Sequence, residues 1–130
     1  MSQSLFERCG GFAVVRKIVA EFYDRVLESP RLAAYFEDVN MRMLVDHQTK
    51  FIAMLMGGPA SFSDDALRRA HANMGISPEE FRETAALLIE TLEDFGVDED
   101  DITLVTDALM RKEHLIVTRP ATVAPTGTDG

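Results

Sequence analysis

The chain has 130 residues, 46% apolar and 27% charged, a composition that supports one domain with a packed core and excludes wholesale disorder. Acidic residues outnumber basic ones 22 to 13, and the net charge of −9 argues against nucleic acid or an anionic membrane as partner. No apolar run exceeds Phe51 to Met56, no secretory signal is visible, and Cys9 stands alone; a bilayer span, an internal disulfide and a thiolate zinc cluster are excluded, and a reduced, cytoplasmic home is expected.

Glycine and proline mark the element boundaries. The stretch from Phe12 to Glu28 lacks both and carries Val15, Ile18, Val19, Phe22 and Val26 three and four apart, which predicts a helix with one apolar face. Ser29-Pro30 should stop it, because the residue before a proline is pushed out of helical backbone space. A second helix is expected from about Met41 to Met56, ended by Gly57-Gly58-Pro59. On it Leu44, Gln48, Phe51 and Leu55 form one stripe, flanked by His47 and Met54. Residues 60–76 are the weakest helical region, where Ser63-Asp64-Asp65 can cap a short helix through Leu67, Ala70 and His71 before Gly75 ends it. Such a helix is marginal alone, and a bound ligand would be one reason for it to stay ordered.

Ser77-Pro78-Glu79-Glu80 is a helix start, with a serine cap and a glutamate three residues later. Phe81, Ala85, Leu88 and Leu92 then recur until Gly96, and Asp98 should cap a last helix with Ile102, Val105, Leu109 and Leu115-Ile116 inside. From Thr118 the composition turns to Thr, Ala, Pro, Gly and Asp, expected to be a disordered tail or linker over residues 118–130. There is no strand signal and no internal repeat, so a single all-α domain over residues 1–117 is expected.

Chemistry-bearing residues are few. His47, His71 and His114 fall on predicted helices with no spacing that links them, and no HExxH, phosphate loop, dinucleotide glycine pattern or nucleophile elbow occurs. The acidic runs Glu79-Glu80 and Asp98 to Asp101 read as favourable charge at helix starts rather than as a calcium loop. Gln48 on an apolar stripe and Tyr23 beside Phe22 are polar groups that need partners. Spacing alone favours both lying at the core margin, bonded to backbone or water, over both pointing into one pocket to hold a polar guest. A lone histidine such as His71 is usually structural, but an imidazole bound to a metal or haem iron would supply the order its helix lacks.

Several pieces recur in a fixed order: Leu5-Phe6 with Gly10-Gly11, Phe22-Tyr23-Asp24-Arg25-Val26, and Tyr35-Phe36 with Asp38-Val39-Asn40-Met41. His47-Gln48 with Phe51 and Gly57-Gly58, Leu67-Arg68-Arg69-Ala70-His71, Phe81, and Leu92 to Gly96-Val97 follow. This ordered set resembles the truncated haemoglobins of group I, from Leu5 to about Val117. The resemblance implies a two-over-two helical sandwich enclosing haem b, with His71 as proximal iron ligand and Tyr23 and Gln48 as distal hydrogen-bond donors. It also implies that Phe36 packs on the porphyrin face, that Leu44 takes the distal gate position, and that Phe51, Leu55, Met74, Ile76 and Phe81 line the pocket. Lys50, Arg68 and Arg69 are the candidate bases for the haem propionates. Ser61-Phe62-Ser63-Asp64-Asp65 departs from the family's aromatic-Asp-Gly turn before the proximal helix.

Two histidines carry further implications. His47, three residues after Leu44, either binds iron as a sixth ligand or faces solvent and touches a propionate. His114, on the final helix, is either a solvent-facing histidine or, as in some members of the family, adds covalently to a haem vinyl group. The function implied is reversible binding of O2, NO and CO by a monomeric haem protein. Its enzymatic version oxidises NO to nitrate with Tyr23 and Gln48 as catalytic residues and an electron-donating reductase as partner, or carries peroxidase-like chemistry. The alternatives are a gas or redox sensor or carrier without turnover, and a haem-free all-α interaction domain.

Overall fold

The computed structural model describes residues 3–118, and every regular element among them is helical. In chain order these are α1 Leu5–Cys9, α2 Phe12–Glu28, α3 Pro30–Ala33 with a 3-10 turn Ala34–Phe36, α4 Met41–Leu55, α5 Asp64–His71, α6 Pro78–Asp94, α7 Glu99–Met110 and α8 Glu113–Ile116. Residues 119–130, nearly all of the expected tail, lie outside the described residues.

The expected apolar face of α2 is buried in full. Pro30 has two roles there: Ser29 before it is extended, which ends α2, and the proline's fixed backbone then occupies the first turn of α3. Only the first of these roles is expected from the sequence. Spacing gives no sign of α1 either, because five residues are too few to show a period. That helix is held by a capping box between Ser4 and Glu7 and by burial of Leu5 and Phe6. The Phe6 ring explains Gly58, where a Cβ would stand 2.6 Å from it.

On α4, capped by the Asn40 side chain, Phe51 and Leu55 of the expected stripe are buried, and a neighbouring line of Val45, Thr49 and Ile52 is buried beside them. Leu44 and Gln48 sit one residue, or about 100°, round from that line and are half-buried. α6 starts at the expected capping box, with Ser77 accepting from the Glu80 N–H and Glu80 accepting from the Ser77 N–H. Phe81, Ala85, Leu88 and Leu92 are all buried.

The last helix is not continuous, and Asp98 makes no side-chain cap. A turn at Arg111–Lys112 separates α7 from α8. In an unbroken helix Leu115 would fall about 120° off the line of Leu109. The turn re-aims it into the core, where it is 1% exposed.

α2 and α4 form one packed pair and α6 and α7 the other, with α2 crossing onto α6: the two-over-two all-α sandwich. Arg25 ties α2 to α6 through Asp94 and Glu90, and Arg8 ties α1 to Asp101 of α7. α5 belongs to neither pair and packs against α8. No helix among the described residues is long and apolar enough to cross a membrane.

Candidate functional site

Because α5 stands apart from the two pairs, the helices enclose a cavity of about 540 Å³ rather than a filled centre. Sites for organic ligands and cofactors span roughly 300–1,000 Å³. The wall is largely apolar and includes Phe36, Leu44, Phe51, Met74, Ile76 and Phe81.

Tyr23, on α2, lines the same cavity as Gln48, on α4. The Tyr23 ring stands edge-on to Phe22 at 4.8 Å and to Phe36 at 5.7 Å, contacts that orient it. Burial pushes its phenol well above the ordinary value, so the hydroxyl keeps its proton at physiological pH. Neither this hydroxyl nor the Gln48 amide has a hydrogen-bond partner among the described residues.

His71 reaches the cavity from the end of α5, a helix capped by Ser63 and anchored by one buried side chain, Leu67. Its Nδ1 lies 2.7 Å from the Leu67 carbonyl oxygen. A carbonyl only accepts, so Nδ1 carries the hydrogen and Nε2 keeps its lone pair. The same bond fixes the orientation of the ring. Among the described residues, no three His, Cys, Asp or Glu side chains come together in a way that could hold a metal ion. A metal bound through His71 must therefore bring most of its ligands with it, as iron in a porphyrin does. The Nε2 of His71 at the end of a short helix, a largely apolar wall and two polar groups without partners among the described residues fit a haem.

Of the other expected residues, His47 also lines the cavity, whereas Leu55 and His114 do not. Leu55 shares Leu44's angular face but lies 11 residues, or about 16 Å, further along the helix, past the cavity's end. It is buried and borders a separate open recess between α1, α4 and α7. His114 is exposed on α8. Among the bases, Arg69 lines the cavity, while Arg68 pairs with Asp65 at 3.0 Å and Lys50 is exposed away from the wall.

Sequence reasoning missed Phe62, Tyr35 and Glu80 as lining residues. Phe62 stands edge-on to His47 at 5.0 Å, and its N–H donates to the Met54 sulfur at 3.2 Å. The signal was there: it is the one aromatic in the segment that departs from the family pattern. Glu80 gave no separate signal, since a capping glutamate and a lining one occupy the same position. It is 5% exposed and accepts from the Tyr35 hydroxyl at 2.6 Å.

A two-over-two helical sandwich around a largely apolar cavity, with a histidine presented by a short helix outside both pairs, is the architecture of a short globin. The chain belongs to the bacterial-like globin family, whose profile it matches over residues 4–118, and is a group 1 truncated haemoglobin by its curated relatives. It is similar to the group 1 truncated haemoglobin GlbN of Synechocystis, 36% identical over 106 residues, covering 78% of this chain and 86% of that one. The 2/2 haemoglobin of Synechococcus sp. PCC 7002, solved in the cyanomet state with covalently attached haem, superposes with a TM-score of 0.81 at 29% identity, covering 90% of this chain and 100% of that one. The Fe(III) truncated haemoglobin of Tetrahymena pyriformis gives 0.80 at 26% identity, covering 88% and 98%. Membership implies haem and, through it, the binding of diatomic gases such as O2.

Proposed function

We propose that the chain holds one haem b through Nε2 of His71, that Tyr23 and Gln48 hold the bound gas, and that it converts NO to nitrate. The observation that carries this reading is the 2.7 Å bond from His71 Nδ1 to Leu67, which leaves Nε2 for iron in a cavity that also receives a neutral phenol. Haem, when bound, supplies the iron that takes O2, NO or CO. The chain's own residues do the rest. Tyr23 donates its hydroxyl hydrogen to the gas atom on which negative charge collects, and the Gln48 amide N–H adds a second donor. The apolar wall would keep water away, and Arg69, which lines it, would be the base for a propionate. In net terms NO, O2 and one electron give nitrate, and a reductase supplies the electron.

The test is nitrate formation from NO by the haem-loaded monomer with a reductant. Turnover well above that of a generic haem protein, lowered by Tyr23→Phe, is expected. Turnover at the generic level removes the enzymatic reading and leaves a carrier or sensor.

His47 is best read as a residue of the cavity mouth rather than a sixth iron ligand. Its exposure and its edge-on contact with Phe62 support this. The ferric absorption spectrum of His47→Leu should match the unaltered protein's. A change from low to high spin on that substitution would establish ligation, which would also lower gas affinity by the fraction of closed sites.

The attached haem of the Synechococcus protein raises the same possibility for His114. Its exposure, and its position outside the cavity wall, support a haem held without a covalent bond. Acid extraction into organic solvent after prolonged reduction should therefore remove all the haem. A fraction with the mass of chain plus haem, lost in His114→Ala, would reverse this reading.

A further inference from the structure

Residues 72–77 connect α5 to α6 and carry Met74 and Ile76 into the cavity wall directly after His71. Ile76 packs against the core and Ser77 is buried in the capping box with Glu80, but residues 72–75 have little of their own to hold them. Ala72 and Asn73 are exposed, and Gly75 sits in the left-handed region at φ +67 with no side chain to anchor it. The helix before it buries only Leu67.

What fixes the segment comes from elsewhere in the chain. The Gly75 N–H donates to Thr118 Oγ1 at 3.1 Å, and the Thr118 N–H donates to the Ile76 carbonyl at 3.0 Å. At the same glycine, the Gly75 carbonyl lies 3.3 Å from the Tyr35 hydroxyl. Within the segment, the Met74 N–H returns to the His71 carbonyl at 3.1 Å. A short run of backbone bonds thus leads from Thr118 through residues 74–76 to His71. α8, which delivers Thr118, also packs against α5 itself. Thr118, just past the last helix, therefore holds the segment that follows the histidine, while that helix braces the one that bears it.

We propose that Thr118 is a positioning residue for His71: by pinning residues 75–76 it sets where the imidazole stands and how firmly it holds iron. The proposal rests on the reading of His71 as the haem ligand. A short helix with one buried side chain is locally weak, so its working geometry depends on such outside contacts. Linkage makes the effect reciprocal: a ligand that shifts His71 must change the strength of the Thr118 contact by the same free energy.

Thr118→Val keeps the shape and the N–H but removes the hydroxyl acceptor, and Thr118→Ser restores it. Thr118 is exposed, so neither change opens the core. In the full haem-loaded chain, Thr118→Val is expected to speed Gly75 amide exchange about fivefold and haem transfer to a scavenging apoglobin by about the same factor, as for one lost hydrogen bond. It should also shift the iron–histidine stretching band of the ferrous protein, and Thr118→Ser should return all three to the starting values. A contact that only supports the fold would lower the melting temperature and leave that band in place. An unmoved band with unchanged haem loss in Thr118→Val overturns the proposal, whatever happens at Gly75. Absence of any iron–histidine band in both the unaltered chain and His47→Leu would instead overturn the reading of His71 on which the proposal rests.

Discussion

Replacing His71 with alanine is expected to abolish stable haem binding. Among the described residues the other histidine on the cavity wall is His47, which is exposed and stands edge-on to Phe62. Removing an outer-shell partner of a metal ligand typically costs 10–100-fold in affinity, so removing the ligand itself should raise the rate of haem loss by more than about a hundredfold. Because His71 is half-buried and donates one hydrogen bond to its own helix, His71→Ala should keep the helical fold. Circular dichroism separates loss of haem from loss of structure. Haem titration followed by absorption gives the direct result, and a normal spectrum retained through gel filtration by His71→Ala would remove His71 from the iron.

Tyr23→Phe is expected to act on the gas rather than on the haem. The substitution keeps the ring that packs on Phe22 and Phe36 and removes only the hydroxyl. A hydrogen bond to a charged group contributes about 1.5–3 kcal/mol, so O2 should leave about ten- to a hundredfold faster. CO, which gathers less charge on its outer atom, should respond much less. The raised pKa of the phenol makes a second expectation. Below that pKa the hydroxyl stays protonated, so oxygen release should be insensitive to pH through the neutral and mildly alkaline range, instead of speeding as a donor is lost. Stopped-flow displacement of O2 by CO measures both effects. Release at the unaltered rate in Tyr23→Phe would mean that Gln48 or another donor holds the gas.

The long helices were legible because their information is local and periodic. Val15, Ile18, Val19, Phe22 and Val26 on α2, and Phe81, Ala85, Leu88 and Leu92 on α6, are buried as their three-and-four spacing requires. The capping box at Ser77 and Glu80 likewise needs only four consecutive residues. His71, Tyr23 and Gln48 stood out as polar groups on their helices, but a shared role for them came only from the resemblance of the ordered set; spacing favoured the core margin for Tyr23 and Gln48. Their common cavity depends on α5 standing outside both helix pairs, and no local pattern encodes that.

Tertiary packing also decided the rest. Leu55 and Leu44 share a helical face, yet only one meets the cavity, because a helix face says nothing about where along its length a neighbour ends. Leu115 turned inward only through the break at Arg111–Lys112, which suits the packing of α8 on α5 and has no glycine or proline to announce it. The tautomer of His71 depends on the ring rotamer that brings Nδ1 to the Leu67 carbonyl four residues away in the same helix, and the sequence does not specify that rotamer. Sequence by itself therefore determined the long helices, the inner faces of α2 and α6, and the family, since each follows from neighbouring residues or their order. The enclosed space, the residues that share it and the hold of Thr118 on the segment after His71 required contacts between parts of the chain far apart in sequence.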